Sequence, residues 1–249
     1  MKNLDGKVSV LLPAYNEAYH IKDNIEEIIR TFDEFSCDYE IVVIDDGSSD
    51  NTFEVASEIS KIKSQVIVKK NLSNFGKGRA IKKGFRYTGG KYTIFLDADM
   101  ELHPGQLQKF FDIMRSNNAD VVIGSKMHPG SKINYPWHRK IVSRVYFFLV
   151  KIMFGLPIHD TQTGLKLFKS EVLDKVLPKI LVKEFAYDLE VLVNAHHLGY
   201  RIAEAPVAVD SKKRYGRIGL RSIYKTWIDT LAIYYRLNIL KYYDQSPKE

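Results

Sequence analysis

Three short apolar runs, residues 8–13, 39–44 and 92–96, each stop abruptly at proline or acidic residues, and stretches with helically spaced apolar residues lie between them. The runs are rich in Val, Ile, Tyr and Phe, which suit a pleated, buried surface, and they lack the polar alternation of a strand wetted on one face. Strands that alternate with helices predict an α/β fold, a largely parallel, doubly wound sheet with helices on both faces. In such sheets ligands bind beyond the carboxyl ends of the strands. The loops that follow the runs are therefore where chemistry is sought.

The helix after the first run is expected from Asn16-Glu17 to about Phe35, with Ile21, Ile25, Ile28, Ile29 and Phe32 on one face. The second run ends in Asp45-Asp46-Gly47-Ser48-Ser49-Asp50, where Ser49 or Asp50 can cap a helix carrying Val55, Ile59 and Ile62. A third strand is expected over residues 65–69. Asn74-Phe75-Gly76-Lys77-Gly78 then turns into a helix over residues 79–87.

The run 92–96 ends in Asp97-Ala98-Asp99-Met100-Glu101. Carboxylates this close repel unless a cation lies between them, and a divalent ion with oxygen ligands and substrate phosphates answers that need. Asp45 and Asp46 can accept hydrogen bonds from a base or ribose, or serve only as turn residues. Gly76-Lys77-Gly78 can offer phosphate its N–H groups and a lysine, although it lacks P-loop spacing.

A chain of 249 residues with 45% hydrophobic and 27% charged residues and no linker composition is expected to form one domain. Cys37 alone excludes an internal disulfide and is compatible with a reducing compartment. The longest apolar runs are too short and too charged to span a bilayer. The net charge of +7 is concentrated in two places. One is Lys132, His138, Arg139, Lys140, Arg144 and Lys151; the other runs from Lys212 to Lys241 against the single acid Asp229. Both are interleaved with aromatic and aliphatic residues. Residues 141–154 read either as a core helix or as a helix lying against lipid headgroups. Residues 223–243, with Tyr224, Trp227, Tyr234, Tyr235, Tyr242 and Tyr243 among cations, suit the headgroup zone.

Leu12-Pro13-Ala14-Tyr15-Asn16-Glu17, Val43-Ile44-Asp45-Asp46-Gly47-Ser48, Gly76-Lys77-Gly78 and Asp97-Ala98-Asp99, in this order, resemble the nucleotide-sugar half of inverting GT-A-type glycosyltransferases. Further on, Gly124-Ser125-Lys126, residues 160–168 (DTQTGLKLF), residues 185–190 (FAYDLE) and Ala205-Pro206-Val207 resemble the polyprenyl-phosphate hexosyltransferases that make dolichyl-phosphate glucose and dolichyl-phosphate mannose. The resemblance covers roughly residues 7–240. It implies a GT-A fold with a nucleotide-sugar half over about 7–103, an acceptor half over about 104–210 and a basic amphipathic segment over about 211–249.

By the same resemblance Pro13, Tyr15, Glu17, Ile44, Asp46 and Lys77 fall at the nucleotide, and Asp97, Ala98, Asp99 and Glu101 at the diphosphate and a Mg²⁺ or Mn²⁺ ion. Asp97 is assigned more to the donor, and Asp99 with Glu101 to the metal. Lys126, Arg139, Arg214 and Arg217 are candidates to hold the acceptor phosphate, and Asp160 to orient sugar or acceptor. Lys126 stands where the family tends to have arginine, and the family's Arg-Gly-x-Ser-Lys segment is replaced by Lys213-Arg214-Tyr215-Gly216-Arg217. Residues 160–164 resemble the glucosyl branch and residues 99–104 the mannosyl one, and the balance leans to glucose.

The expected activity is inverting transfer of glucose or mannose from UDP-glucose or GDP-mannose to a polyprenyl or dolichyl phosphate. The expected setting is peripheral, on the cytoplasmic face of a membrane, with a membrane-spanning partner protein in view and no nucleic acid. Two other readings use the same residues: transfer to a glycan or protein hydroxyl, with Asp160 as base, and a non-catalytic module that binds anionic surfaces.

Overall fold

The computed structural model describes residues 4–132, 137–184, 186–209 and 220–245. Its centre is a seven-stranded sheet built from β1 (Val8–Ala14), β2 (Tyr39–Asp45), β3 (Val66–Lys70), β4 (Tyr92–Phe95), β5 (Val121–Ser125), β6 (Lys166–Lys169) and β7 (Ile202–Pro206). The strands lie in the order β3-β2-β1-β4-β6-β5-β7. All neighbours are parallel except β6, which runs antiparallel to both β4 and β5. The largely parallel sheet expected from the sequence is present, and the reversed strand is an addition to it. Reversal has a positional effect: Lys166, the first residue of β6, pairs with Phe95, the last of β4. The segment that precedes β6 therefore arrives at the carboxyl edge of the parallel strands.

Strand residues alternate between the two faces, and each face has its own core. Val8, Val10, Leu12, Ile41 and Val43 pack beneath α1 (Ile21–Phe35), α2 (Thr52–Ile62) and α4 (Leu107–Ser116). Leu11, Val42 and Ile44 pack with α3 (Lys77–Phe85), α6 (Ser170–Val176) and α7 (Tyr187–His197). The five apolar residues that defined the α1 face are buried as expected. Each fully buried side chain of this kind contributes about 1.5–3 kcal/mol.

The first helix begins at Ile21, not at Asn16. Asn16 has φ +56°, its Oδ1 accepts from the Ser49 N–H at 2.9 Å, and its own N–H donates to Ser48 Oγ. The N–H groups of Glu17 and Ala18 donate to Thr52 Oγ1 and Asp50 Oδ2. These bonds to the second loop replace one turn of helix, and Asp50 also receives the Thr52 N–H at the start of α2.

Helices α5 (Trp137–Phe154) and α8 (Leu220–Asn238) lie side by side. Tyr146 meets the Trp227 ring edge-on at 5.4 Å and bonds Thr230 Oγ1 through its hydroxyl, and Phe154 meets Tyr234. Val150, Phe154 and Ile233 enter the second core, whereas Val145, Phe148 and Ile152 of α5 and Tyr224, Ile228, Leu231 and Tyr235 of α8 face outward. Over residues 143–154 the helix thus packs on the core along one face and leaves apolar side chains exposed along the other. The C-terminal aromatic residues divide similarly, for Tyr243 is buried against Glu190. Among the described residues no helix is long and apolar enough to cross a membrane.

Candidate active site

The carboxyl ends of β1, β2 and β4 enclose an open cleft of about 250 Å³. Pro13, Tyr15, Glu17, Asp46, Lys77, Asp97, Ala98 and Asp99 line it, joined by Ala14 and Asn74. Ile44 does not: the two-residue period of β2 turns its side chain into the second core, against Gly84 of α3. Glu101 lies outside the cleft wall.

The acidic turn is held from several sides. Met100 adopts φ +52° and its N–H donates to the carbonyl of Asp97, which folds the chain so that Asp99 Oδ1 accepts from the Glu101 N–H at 3.0 Å. From α1, Asn24 Nδ2 donates to the carbonyl of Ala98 at 2.6 Å. Asp97 Oδ1 meets Lys77 Nζ at 2.7 Å, and both oxygens of Glu101 accept from Lys126 Nζ, at 2.6 and 2.8 Å.

Among the described residues no group of three or more metal-binding side chains stands assembled. The chemistry of the turn nevertheless fits a hard cation: Asp97, Asp99 and Glu101 offer carboxylate oxygens that could hold one, and two of them now pair with the ammonium groups of Lys77 and Lys126.

Asp46 and the Gly76-Lys77-Gly78 segment act together. Asp46 accepts from Asn71 Nδ2 and from the N–H groups of Phe75 and Gly76, and so fixes the loop that leads into α3. The Gly78 N–H donates to the carbonyl of Lys183, and a Cβ at Gly78 would stand 2.4 Å from the Tyr187 ring. With the Gly76 and Gly78 N–H groups engaged, the segment offers the cleft the Lys77 ammonium in place of a backbone cradle.

Lys77 continues inward to a buried chain of charges that sequence reasoning did not assign to the site. Its Nζ lies 3.5 Å from Asp188 Oδ2, and Asp188 Oδ1 accepts from Lys166 Nζ at 2.8 Å. Burial works to raise the Asp188 carboxyl, but Lys166 and Lys77 outweigh it and hold the group below its ordinary value. Burial likewise opposes the charge on Lys77, yet Asp188 and Asp97 raise its pKa. Asp188, Lys166 and Gly164 all lie within the stretches that carried the family resemblance, but their meeting is a property of the fold.

Asp160 is buried behind Lys126. Its oxygens accept from the Lys126 N–H at 2.9 Å and the Gln162 N–H at 3.0 Å, and Glu204 receives the N–H groups of His159 and Asp160. Burial pushes the Asp160 carboxyl above its usual range, against these N–H groups. Arg214 and Arg217 lie outside the described residues, as does the side chain of Arg139.

Next to Lys126 and Asp160 along the chain, a second cavity of about 310 Å³ is walled by Met127, Phe147, Phe148 and Ile158, with Arg144, Lys151 and His159 around it. Arg144 and Lys151 have no ion pair among the described residues.

This geometry has a match in sequence. The family model described as glycosyl transferase family 2 aligns with residues 9–177. The chain belongs to that family. Among curated relatives, dolichyl-phosphate beta-glucosyltransferase of Dictyostelium discoideum is 33% identical over 213 residues, covering 80% of this chain and 65% of the relative. A Trichomonas vaginalis protein of that description, ALG5D, is 30% identical over 249 residues, covering 93% of this chain and 75% of its own. Glycosyltransferase AglD of Haloferax volcanii is 29% identical over 208 residues, 83% of this chain but 33% of AglD. The chain thus spans one third to about two thirds of the length of the first two curated relatives, AglD and the Dictyostelium protein. In architecture this family 2 chain resembles glucosyl-3-phosphoglycerate synthase of Mycobacterium tuberculosis, solved with Mn²⁺, UDP and phosphoglyceric acid, at TM-score 0.66 and 21% identity over 92% of this chain and 77% of the other. Mannosyl-3-phosphoglycerate synthase of Rubrobacter xylanophilus gives TM-score 0.67 at 16% identity, over 98% and 77%. These likenesses establish the GT-A fold.

Proposed function

We propose that this chain transfers a hexose, with inversion, from a nucleoside diphosphate sugar to a polyprenyl phosphate of the dolichyl type at a membrane surface. The observation that carries this reading is the pairing of two sites beside Lys126: the cleft with its acidic turn, and the cavity with apolar walls and cations that have no ion pair among the described residues. An isoprenoid phosphate has that same division into apolar chain and anionic head. The names of the relatives at 30–33% identity favour glucose over mannose, and hence UDP-glucose as donor.

An acceptor phosphate oxygen attacks the anomeric carbon from the face opposite the leaving group, the bond from that carbon to the outer phosphate oxygen breaks, and nucleoside diphosphate departs. A phosphate monoester is already largely ionised near neutral pH and needs no strong base. Asp160, with both oxygens taken by backbone N–H groups, orients the Lys126 loop. Lys126 and, from outside the described residues, Arg214 and Arg217 draw in the acceptor phosphate, while Lys77 balances charge on the donor. Asp97, Asp99 and Glu101 would hold Mg²⁺ or Mn²⁺, which supplies Lewis-acid neutralisation of the departing diphosphate.

The outward apolar faces of α5 and α8, with Arg144 and Lys151 beside them, suit the headgroup layer where such a lipid resides. This reading makes the chain a peripheral membrane enzyme. The test is transfer from UDP-glucose and GDP-mannose, with Mn²⁺, to a short polyprenyl phosphate in detergent. Lipid-linked hexose from the wild-type chain, and none from a folded Asp99→Ala variant, is the expected result. Transfer to soluble glycans with no requirement for lipid phosphate would overturn it.

A further inference from the structure

Four charged side chains run without a break from the cleft into the interior. Asp97 meets Lys77 at 2.7 Å, Lys77 meets Asp188 at 3.5 Å, and Asp188 meets Lys166 at 2.8 Å. The side chains of Lys166 and Asp188 are 1% and 9% exposed. Lys166 closes the line by donating to the carbonyl of Thr163. Asp97 and Lys77 line the cleft; Asp188 and Lys166 do not, and no step of the chemistry above uses them.

Taking an ion out of water costs several kcal/mol, and a buried pair is often no more stable than apolar residues of the same volume. Stability alone is therefore a weak reason for a lysine and an aspartate here. What the pair does accomplish is geometric. A lysine ammonium is a point charge on a flexible four-carbon stem, and Asp188 holds that of Lys77 from the side away from Asp97. With an ammonium group on each oxygen, Asp188 is in no position to accept a proton from an acceptor hydroxyl.

Resting on the functional reading above, we propose that Asp188 and Lys166 are positioning residues that hold Lys77 against the donor diphosphate. Lys166 fixes Asp188, Asp188 fixes Lys77, and the same short segment places Gly164 against Asp97. Residues 163–166 of the acceptor half thereby set both members of the Lys77–Asp97 pair.

Calorimetry tests this by comparing affinity for the nucleoside diphosphate with affinity for the parent nucleoside, the latter measured by displacement. It uses whichever of UDP and GDP the wild-type chain binds. The proteins are wild type, Lys166→Met, Lys166→Arg and the double variant Lys166→Met/Asp188→Leu, whose apolar pair keeps the interior filled if the single change does not fold. Thermal melts report folding. Diphosphate affinity is expected to fall about 10- to 100-fold in the Met and double variants, the usual effect of losing an outer-shell partner. Nucleoside affinity stays within about twofold of wild type, and Lys166→Arg keeps most of the diphosphate affinity. A structural role would move both ligands together. An unchanged diphosphate-to-nucleoside ratio in the folded double variant, or an Arg variant as impaired as Met, overturns the inference and leaves the functional reading standing. Wild type that binds neither UDP nor GDP overturns that reading and this inference with it.

Discussion

Gly164 lies so close to Asp97 that a Cβ at position 164 would stand 2.2 Å from the Asp97 Oδ2 and 2.6 Å from its Cγ. The need for glycine here is one of space. An alanine would turn the Asp97 carboxylate away from Lys77, and a displacement of about 1 Å at a reacting centre can cost about 100-fold in rate. Gly164→Ala is expected to lower kcat/KM for the donor by that order while the melting temperature stays near wild type. Steady-state kinetics beside a thermal melt checks it, and unaltered kinetics would show that Asp97 has no fixed place to lose.

Lys126 and Glu101 make opposite demands on a cation. The ammonium occupies both oxygens of Glu101, so a divalent ion must compete with it. Lys126→Met should raise Mn²⁺ affinity severalfold, since a partly exposed pair is worth about 1 kcal/mol or less. It should also raise KM for the lipid phosphate about 10-fold or more, the value of one charged hydrogen bond. Calorimetry with Mn²⁺ and acceptor titrations separate the two effects; a fall in both affinities would contradict the competition.

Glu190 is fully buried, with Arg236 and the Tyr243 hydroxyl on one oxygen and the N–H groups of Leu181 and Val182 on the other. Removing it leaves the half-buried Arg236 guanidinium, the buried Tyr243 hydroxyl and two N–H groups without their acceptor, a loss of about 3–5 kcal/mol. Glu190→Ala is expected to lower the Tm by roughly 10 °C. Thermal melts followed by circular dichroism measure it, and a shift of a degree or two would show that water replaces the carboxylate.

Asp160 supplies a pH dependence whose sign is fixed by burial. Its carboxyl is raised above the ordinary 3.8, so protons bind the folded state more tightly than the unfolded one. The stability from this group is fully present below the unfolded value and is lost as pH rises through the folded one. Relative to Asp160→Asn, which does not titrate, the wild-type chain should lose unfolding free energy between about pH 4 and pH 7. Urea denaturation at both pH values is the measurement. A wild-type gain over that interval would mean that the backbone N–H groups outweigh burial.

What the sequence revealed depended on how local each feature is. Residues 39–44 read as a buried strand from composition alone, and the strand observed over Tyr39–Asp45 is buried from end to end. The acidic turn was legible because a run of apolar residues must stop where its carboxylates begin. Strand β6 was not, because Lys166-Leu167-Phe168-Lys169 is four residues long with a lysine at each end, and only neighbours on both sides make it a strand. The start of α1 was misplaced since Asn16 is claimed by Ser48 and Ser49, more than thirty positions along the chain. Asp188 reaches Lys77 across a separation of 111 residues, and no periodicity records such a meeting. Ile44 shows the opposite case, for counting from Val42 already sends it away from the cleft.

The reversed strand β6 bonds to β4 on one side and β5 on the other, from Tyr92 with Lys169 to Phe95 with Lys166. The strands that end at the cleft, β1, β2 and β4, and the strands β5 and β7 are therefore joined into one frame, and neither side can swing open without tearing a hydrogen-bonded ladder. If the chain acts as proposed, acceptor preference is a trait that loop exchange can transplant, while donor geometry stays with the frame.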